Sequence, residues 1–193
     1  MKRISLIGLT VLAGLAVAAA QAAPSYDVLT GHWTGTVTTN TKEAKAGGNP
    51  TPGETGTSAT IEFSKSADGL VGTNLVGTGP DVEKWQIRGS EFTMTDKDMT
   101  MTTKAIPYSE IPEWVRKQAG VTEKDTFFAF KLEKCVVQKT GKACETPKDL
   151  PDGIAKTGVW LFKVQGEKLS NNVYYTYSTG GKRILEMSLA RKK

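Results

Sequence analysis

Leu29-Thr30-Gly31-His32-Trp33-Thr34-Gly35-Thr36-Val37 is the stretch that decides the fold. A glycine two residues before a tryptophan, followed by β-branched alternation, reads as the opening of the first strand of a β-domain. Side chains alternate along a strand, so Trp33 and Gly35 share one face and His32 takes the other. Gly31 removes a side chain where the strand begins, so the backbone can bend and another element can come close. The segment from Arg183 to Arg191 alternates in the same way, presenting Leu185, Met187 and Leu189 together. A domain that starts and ends on such strands can pair them and close into a barrel with no exposed edge.

Between these ends the chain reads as strands and turns. Ala59, Ile61 and Phe63 share a face; Ala67-Asp68-Gly69 turns the chain into Leu70 to Gly77, where Gly72 marks a bulge. Trp85 and Ile87 face together, and two short runs, Phe92 to Thr95 and Met99 to Thr102, flank the turn Asp96-Lys97-Asp98. Later strands put Phe128, Phe130 and Leu132 on one face, then Trp160, Phe162 and Val164, then Val173, Tyr175 and Tyr177. Thr179-Gly180-Gly181-Lys182 is a hairpin signal. Residues Thr41 to Gly56 show no periodicity and read as a long loop, either functional or disordered. The exception to the β pattern is a short helix expected over Glu110 to Ala119, two to three turns long. Pro112 stands in its first turn, Gly120 is its C-cap, and Trp114 and Val115 pack it onto the barrel wall or across its mouth. The count is roughly eight to ten strands, which suits a closed antiparallel up-and-down barrel. Residues 23–193 form one domain.

Met1 to Ala22 reads as a secretory signal peptide: Lys2 and Arg3 are its charged start, Ile4 to Ala19 its apolar run, and Ala20-Gln21-Ala22 its cleavage site. The run is short for a membrane span of about 20 residues, so the expectation is an exported chain with no transmembrane span. Removing Lys2 and Arg3 lowers the formal net charge from +5 to +3. Basic residues cluster only at Arg191-Lys192-Lys193, with no interleaved aromatics, and nucleic acid is not an expected partner. In an exported chain the two cysteines, Cys135 and Cys144, imply one disulfide, which closes a loop of about ten residues. C-x-x-C spacing is missing, which argues against redox chemistry.

The residues for catalysis are sparse. His32 is the one histidine and sits on the face opposite Trp33, so no Ser-His-Asp or Cys-His arrangement is expected inside. Metal sites of His/Cys type need three or four ligands, which the chain does not supply. Asp96, Asp98 and Glu91 read as a charged hairpin turn rather than calcium oxygens, and Glu110, Glu113, Glu123 and Asp125 as solvated surface. No glycine-rich phosphate cradle is present, and no cofactor is expected. What remains is aromatic: Trp85, Phe128, Phe130, Trp160, Phe162, Tyr175 and Tyr177 are the candidate ligand-binding residues. They fit a filled core and a cavity wall equally, since a barrel of about eight strands has just enough interior for either. Asn171, Asn172, Tyr174, Tyr175 and Tyr177 make a mixed polar and aromatic strand that suits a binding surface or a pocket wall.

The Gly31-His32-Trp33 motif resembles the first-strand G-x-W signature of the calycin superfamily, which holds lipocalins, fatty-acid-binding proteins and avidins. The resemblance implies an up-and-down β-barrel with a ligand cavity in its mouth. In lipocalins a basic residue near the end of the last strand packs over that tryptophan, so it implies a closure latch of Trp33 and Arg191. Leu70-Val71-Gly72 after Asp68-Gly69 is similar to a turn-and-strand of avidins, but their biotin-contacting pattern is not recognisable and biotin is not implied. The function expected is a non-catalytic exported barrel, periplasmic or secreted, that binds a small apolar or amphipathic ligand. The alternative is a protein partner: a hydrolase inhibitor that presents Thr41 to Gly56 or the cysteine-tied turn.

Overall fold

The computed structural model describes residues 25–42, 51–144, 155–177 and 181–193. The signal-peptide reading, residues 43–50 of the 41–56 loop, and residues 179 and 180 of the 179–182 hairpin lie outside the described residues. Among the described residues eleven strands follow in order: β1 (Gly31–Lys42), β2 (Thr51–Pro52), β3 (Ser58–Ser66), β4 (Gly69–Val76), β5 (Glu83–Arg88), β6 (Glu91–Thr95), β7 (Met99–Ile106), β8 (Thr126–Val137), β9 (Ala155–Gln165), β10 (Lys168–Tyr177) and β11 (Lys182–Arg191). The two-residue β2 is an appendage to β1. The other ten pair antiparallel in chain order, and β11 returns to pair with β1, so the barrel is closed and up-and-down as expected.

The closing seam explains the opening stretch of sequence. Trp33 pairs with Arg191 and Gly35 with Leu189 across β1 and β11. A Cβ at Gly35 would stand 1.9 Å from the Ser188 carbonyl oxygen, so only glycine lets the two strands approach this closely. Gly31, at φ +124°, takes a backbone conformation that other residues rarely adopt, and a Cβ there would lie 2.6 Å from Arg191 Nη1. The Arg191 guanidinium lies over the Trp33 ring, 4.1 Å from its centroid. It donates to the carbonyl oxygens of Thr30 and Val28, and pairs through Nε with Glu167 at 3.1 Å. Trp33 Nε1 donates to the Leu29 carbonyl at 2.8 Å. The Trp33–Arg191 contact that the resemblance implies is therefore formed. A 3₁₀ turn, Tyr26–Leu29, plugs this end, with the Tyr26 ring 4.9 Å from Phe128 and 5.9 Å from Phe130.

Inward residues of β3, β5, β6, β8 and β9 fill the barrel upward from this plug. Phe63, Trp85, Phe92, Phe130 and Phe162 pack edge-on or tilted, with neighbouring ring centroids 5.2 to 6.2 Å apart. Such pairs prefer offset or T-shaped contact because ring faces are negative and edges positive.

The helix is shorter than expected. A 3₁₀ turn at Tyr108–Glu110 precedes α1 (Glu113–Ala119), so the helix starts at Glu113 rather than Glu110. Pro112 is its N-cap and not a first-turn residue, because Ile111 before it is extended, as a residue preceding proline tends to be. Gly120 is the C-cap, its N–H directed at the Arg116 and Lys117 carbonyls. Ile111, Val115 and Val121 bury against Ala129, Val159, Leu161 and Tyr174 on the outer wall of β8, β9 and β10, so α1 lies on the wall and not across the mouth. Each such buried aliphatic contributes about 1.5–3 kcal/mol.

The long-loop reading of 41–56 needs correction at both ends. Thr41 and Lys42 pair with Pro52 and Thr51, Gly53 N–H donates to the Asn40 carbonyl, and Gly56 N–H to that of Val37. Cys135 and Cys144 form the expected disulfide, with Cα atoms 5.3 Å apart, and the same turn is held by the Val136–Ala143 bridge. Among the described residues no helix is long and apolar enough to cross a membrane.

Candidate functional site

Among the described residues the barrel is packed at the Trp33 end and hollow toward the other. Above the aromatic floor lies a cavity of about 420 Å³. Its walls are apolar in the middle, from Val37, Met99, Met101, Val173, Leu185 and Met187. Trp85, Trp160 and Tyr175 supply its aromatic surface, with Trp160 and Tyr175 in edge contact at 5.4 Å. Of the seven expected ligand-binding residues, the structure brings these three to the cavity. Phe130 and Phe162 form the floor below, Phe128 packs against Tyr26 at the plugged end, and Tyr177 stacks behind Tyr175 at 6.4 Å.

The polar groups of the cavity are the part that sequence reasoning missed. Glu83 sits two residues before Trp85 on the same inward face, and Asn74 is its cross-strand partner. Asn74 Nδ2 donates to Glu83 Oε2 at 3.1 Å and Trp85 Nε1 donates to the same oxygen at 2.8 Å. Burial pushes the Glu83 carboxyl above the usual carboxylate range, and these two donors, which favour the ionised form, offset part of that rise. Asn171 is fully buried on β10, and its Nδ2 has only the Met187 sulfur at 3.9 Å. The Oδ1 atoms of Asn74 and Asn171 are both buried without a hydrogen-bond partner. Burial, then the nearby Glu83 charge, holds the Tyr175 hydroxyl well above its ordinary pKa, so it stays protonated. Arg183 lines the cavity from β11, and burial lowers its pKa. Asp96 and Glu54 also line the cavity; Asp96 Oδ1 accepts the N–H groups of Asp98 and Met99, and so closes its own turn.

The signal that could have found Glu83 and Asn171 is period two. Glu83 is in phase with Trp85, and Asn171 with Val173 and Tyr175. The mixed strand splits by the same rule. Asn171, Val173 and Tyr175 point inward, whereas Asn172 and Tyr174 lie outside beneath α1. There Tyr174 accepts from Asn172 at 3.0 Å, donates to Glu186 at 2.9 Å and meets the Trp114 ring edge at 5.7 Å.

A second concavity, about 530 Å³, lies on the outer face of β3 to β6 along Glu62, Ser64, Val71, Thr73, Lys84 and Gln86. It is more open than the interior cavity, and no buried unpartnered polar atom lies among its lining residues. The interior cavity is therefore the stronger site, since buried polar groups without partners are costly and call for an explanation.

The remaining candidates do not converge. His32 is on the outside, 38% exposed, with Nδ1 3.9 Å from the Glu62 carboxylate. Glu113 pairs with Lys117 at 2.7 Å along the helix, and Asp125 closes on Thr122 and Lys163. Among the described residues no group of three His, Cys, Asp or Glu side chains is placed to hold a metal ion.

No family model matches the sequence, and no curated protein matches it. Among solved structures, the crystal structure of Rv2717c from M. tuberculosis aligns over 86% of this chain and 94% of its own, with a TM-score of 0.48 and 12% identity. At that level the likeness carries no inference about ligand or activity.

Proposed function

We propose that the protein is an exported, calycin-like barrel that binds a small amphipathic ligand and does not catalyse a reaction on it. The observation that carries the reading is the 420 Å³ cavity: one end is sealed by Trp33 and Arg191, and an aromatic and aliphatic wall surrounds buried amide oxygens that have no partner. Small-molecule sites have this make-up, mostly apolar with a few polar groups that set orientation. The volume suits a ligand of modest size. Export is supported by the Met1 to Ala22 signal-peptide pattern together with the Cys135–Cys144 disulfide, because disulfides persist in oxidising compartments.

The test is native mass spectrometry of the protein purified gently from the exported fraction of its own cells, repeated after denaturation. The reading predicts an added mass of a few hundred daltons, on the order of what such a cavity can enclose, that is lost on denaturation. A bare mass from cells, together with no binding of any alkyl probe in vitro, would overturn it.

A further inference from the structure

We infer that the polar end of the ligand is a protonated amine, seated by Glu83, Asn74 and Asn171. The inference rests on the cavity reading above and adds the chemical class of the head group.

Asn74 Nδ2 and Trp85 Nε1 both donate to Glu83 Oε2. Both N–H donors go to Oε2, which leaves Oε1 of the ionised carboxylate for another donor. The same bond fixes the Asn74 amide. Its nitrogen faces the carboxylate, so its unpartnered atom is an oxygen. Deeper in the barrel Asn171 offers a second unpartnered oxygen, with no exposure to solvent. The atoms that Asn74 and Asn171 leave without partners are thus both acceptors. An ammonium carries three N–H donors and no acceptor, which matches this deficit in both sign and kind. Charge-assisted hydrogen bonds to a partly buried carboxylate are also the strong ones.

The walls favour the same head group. Trp85, Trp160 and Tyr175 present aromatic surface around the polar groups, and aromatic faces attract cations most where water is excluded. Asp96 and Glu54, nearer the rim, add negative charge. The one cation among the described lining residues is Arg183 on β11, separated from β5 around the wall by β1, β3 and β4. A carboxylate head could approach Arg183, but in the depth of the cavity it would meet Glu83 and two amide oxygens.

Three eight-carbon probes with one body and different heads separate the possibilities: octylammonium, octanoate and octan-1-ol, titrated calorimetrically into the intact exported protein at pH 7. Octylammonium is expected to bind at least about tenfold more tightly than octanoate, with octan-1-ol between them. Glu83→Gln is expected to weaken octylammonium about tenfold and leave octan-1-ol within about twofold, since the amide keeps an acceptor but loses the charge. If octanoate binds as well as octylammonium or better, the head-group assignment is wrong and the cavity reading stands. If E83Q weakens all three probes equally, Glu83 is a packing residue and the assignment is again wrong. If no octyl probe binds, the head-group assignment falls, and a bare mass from cells beside that result overturns the cavity reading as well. The comparison of heads on the unaltered protein needs no variant, so a misfolded E83Q leaves the test intact.

Discussion

Replacing Arg191 by methionine should cost about 3 kcal/mol of folding stability, the sum of three separate losses at the barrel seam. Methionine keeps an apolar stem over the Trp33 ring, so packing is largely retained and the charge is what disappears. The guanidinium stands 4.1 Å from the ring centroid, and a cation–π contact of this kind contributes about 1 kcal/mol when partly desolvated. Its hydrogen bonds to the carbonyls of Val28 and Thr30 contribute about 1 kcal/mol each, at the low end for charged donors because water can reach the freed oxygens. The Glu167 partner is 71% exposed on its side chain, so that ion pair adds close to nothing. The expected loss is thus about 2–4 kcal/mol, measured by urea unfolding followed by far-ultraviolet circular dichroism, with the denaturant slope unchanged. A double-mutant cycle with Trp33→Phe should return a coupling of about 1 kcal/mol, because the indole is the better cation partner. A loss below about 0.5 kcal/mol, or strict additivity with W33F, would show that the seam is held by the β1–β11 ladder alone and refute the latch.

Two other outcomes follow from the geometry. Burial raises the Glu83 pKa above its unfolded value, so its contribution to stability is fully present below the unfolded pKa and is lost as pH rises through the folded one. Glu83→Gln should therefore raise the melting temperature at pH 7 and make little difference at pH 4; a fall at pH 7 would mean that the Asn74 and Trp85 hydrogen bonds outweigh the buried charge. Replacing Cys135 and Cys144 together by serine should cost about 2–3 kcal/mol for a loop of about ten residues, read by thermal unfolding, and should leave octan-1-ol affinity unchanged because the turn lies outside the cavity lining.

Much of the fold is legible from period two and turn chemistry. The faces expected for β5, β8, β9 and β11 are the faces that turn inward, and Trp33 does meet Arg191. What escaped lies where two rules compete. Pro112 favours a helix start in its first turn, but the extension it imposes on Ile111 moves the start to Glu113. In β10 the adjacent Asn171 and Asn172 are both polar, so polarity could not say which faced inward. The aromatic pattern of β10 does say so, and it places Asn171 inside with Tyr175. Glu83 shares the inward phase of Trp85, but a carboxylate at the first residue of a strand is ordinarily solvated, and its cross-strand partnership with Asn74 is what shows its role. The division of the seven candidate aromatics into floor and wall depends on height along the barrel, which strand tilt and stagger set and one sequence does not reveal.

The most direct test of the central claim uses the indole N–H signals of the four tryptophans in a ¹⁵N–¹H spectrum. Trp85 and Trp160 line the cavity, Trp33 is sealed at the plugged end with its N–H on Leu29, and Trp114 lies on the outer helix. On titration with octylammonium, or with octan-1-ol, the account predicts saturable shifts of the Trp85 and Trp160 signals while those of Trp33 and Trp114 stay in place. Shifts confined to Trp114, or no shift of Trp85 and Trp160 with either probe, would contradict it.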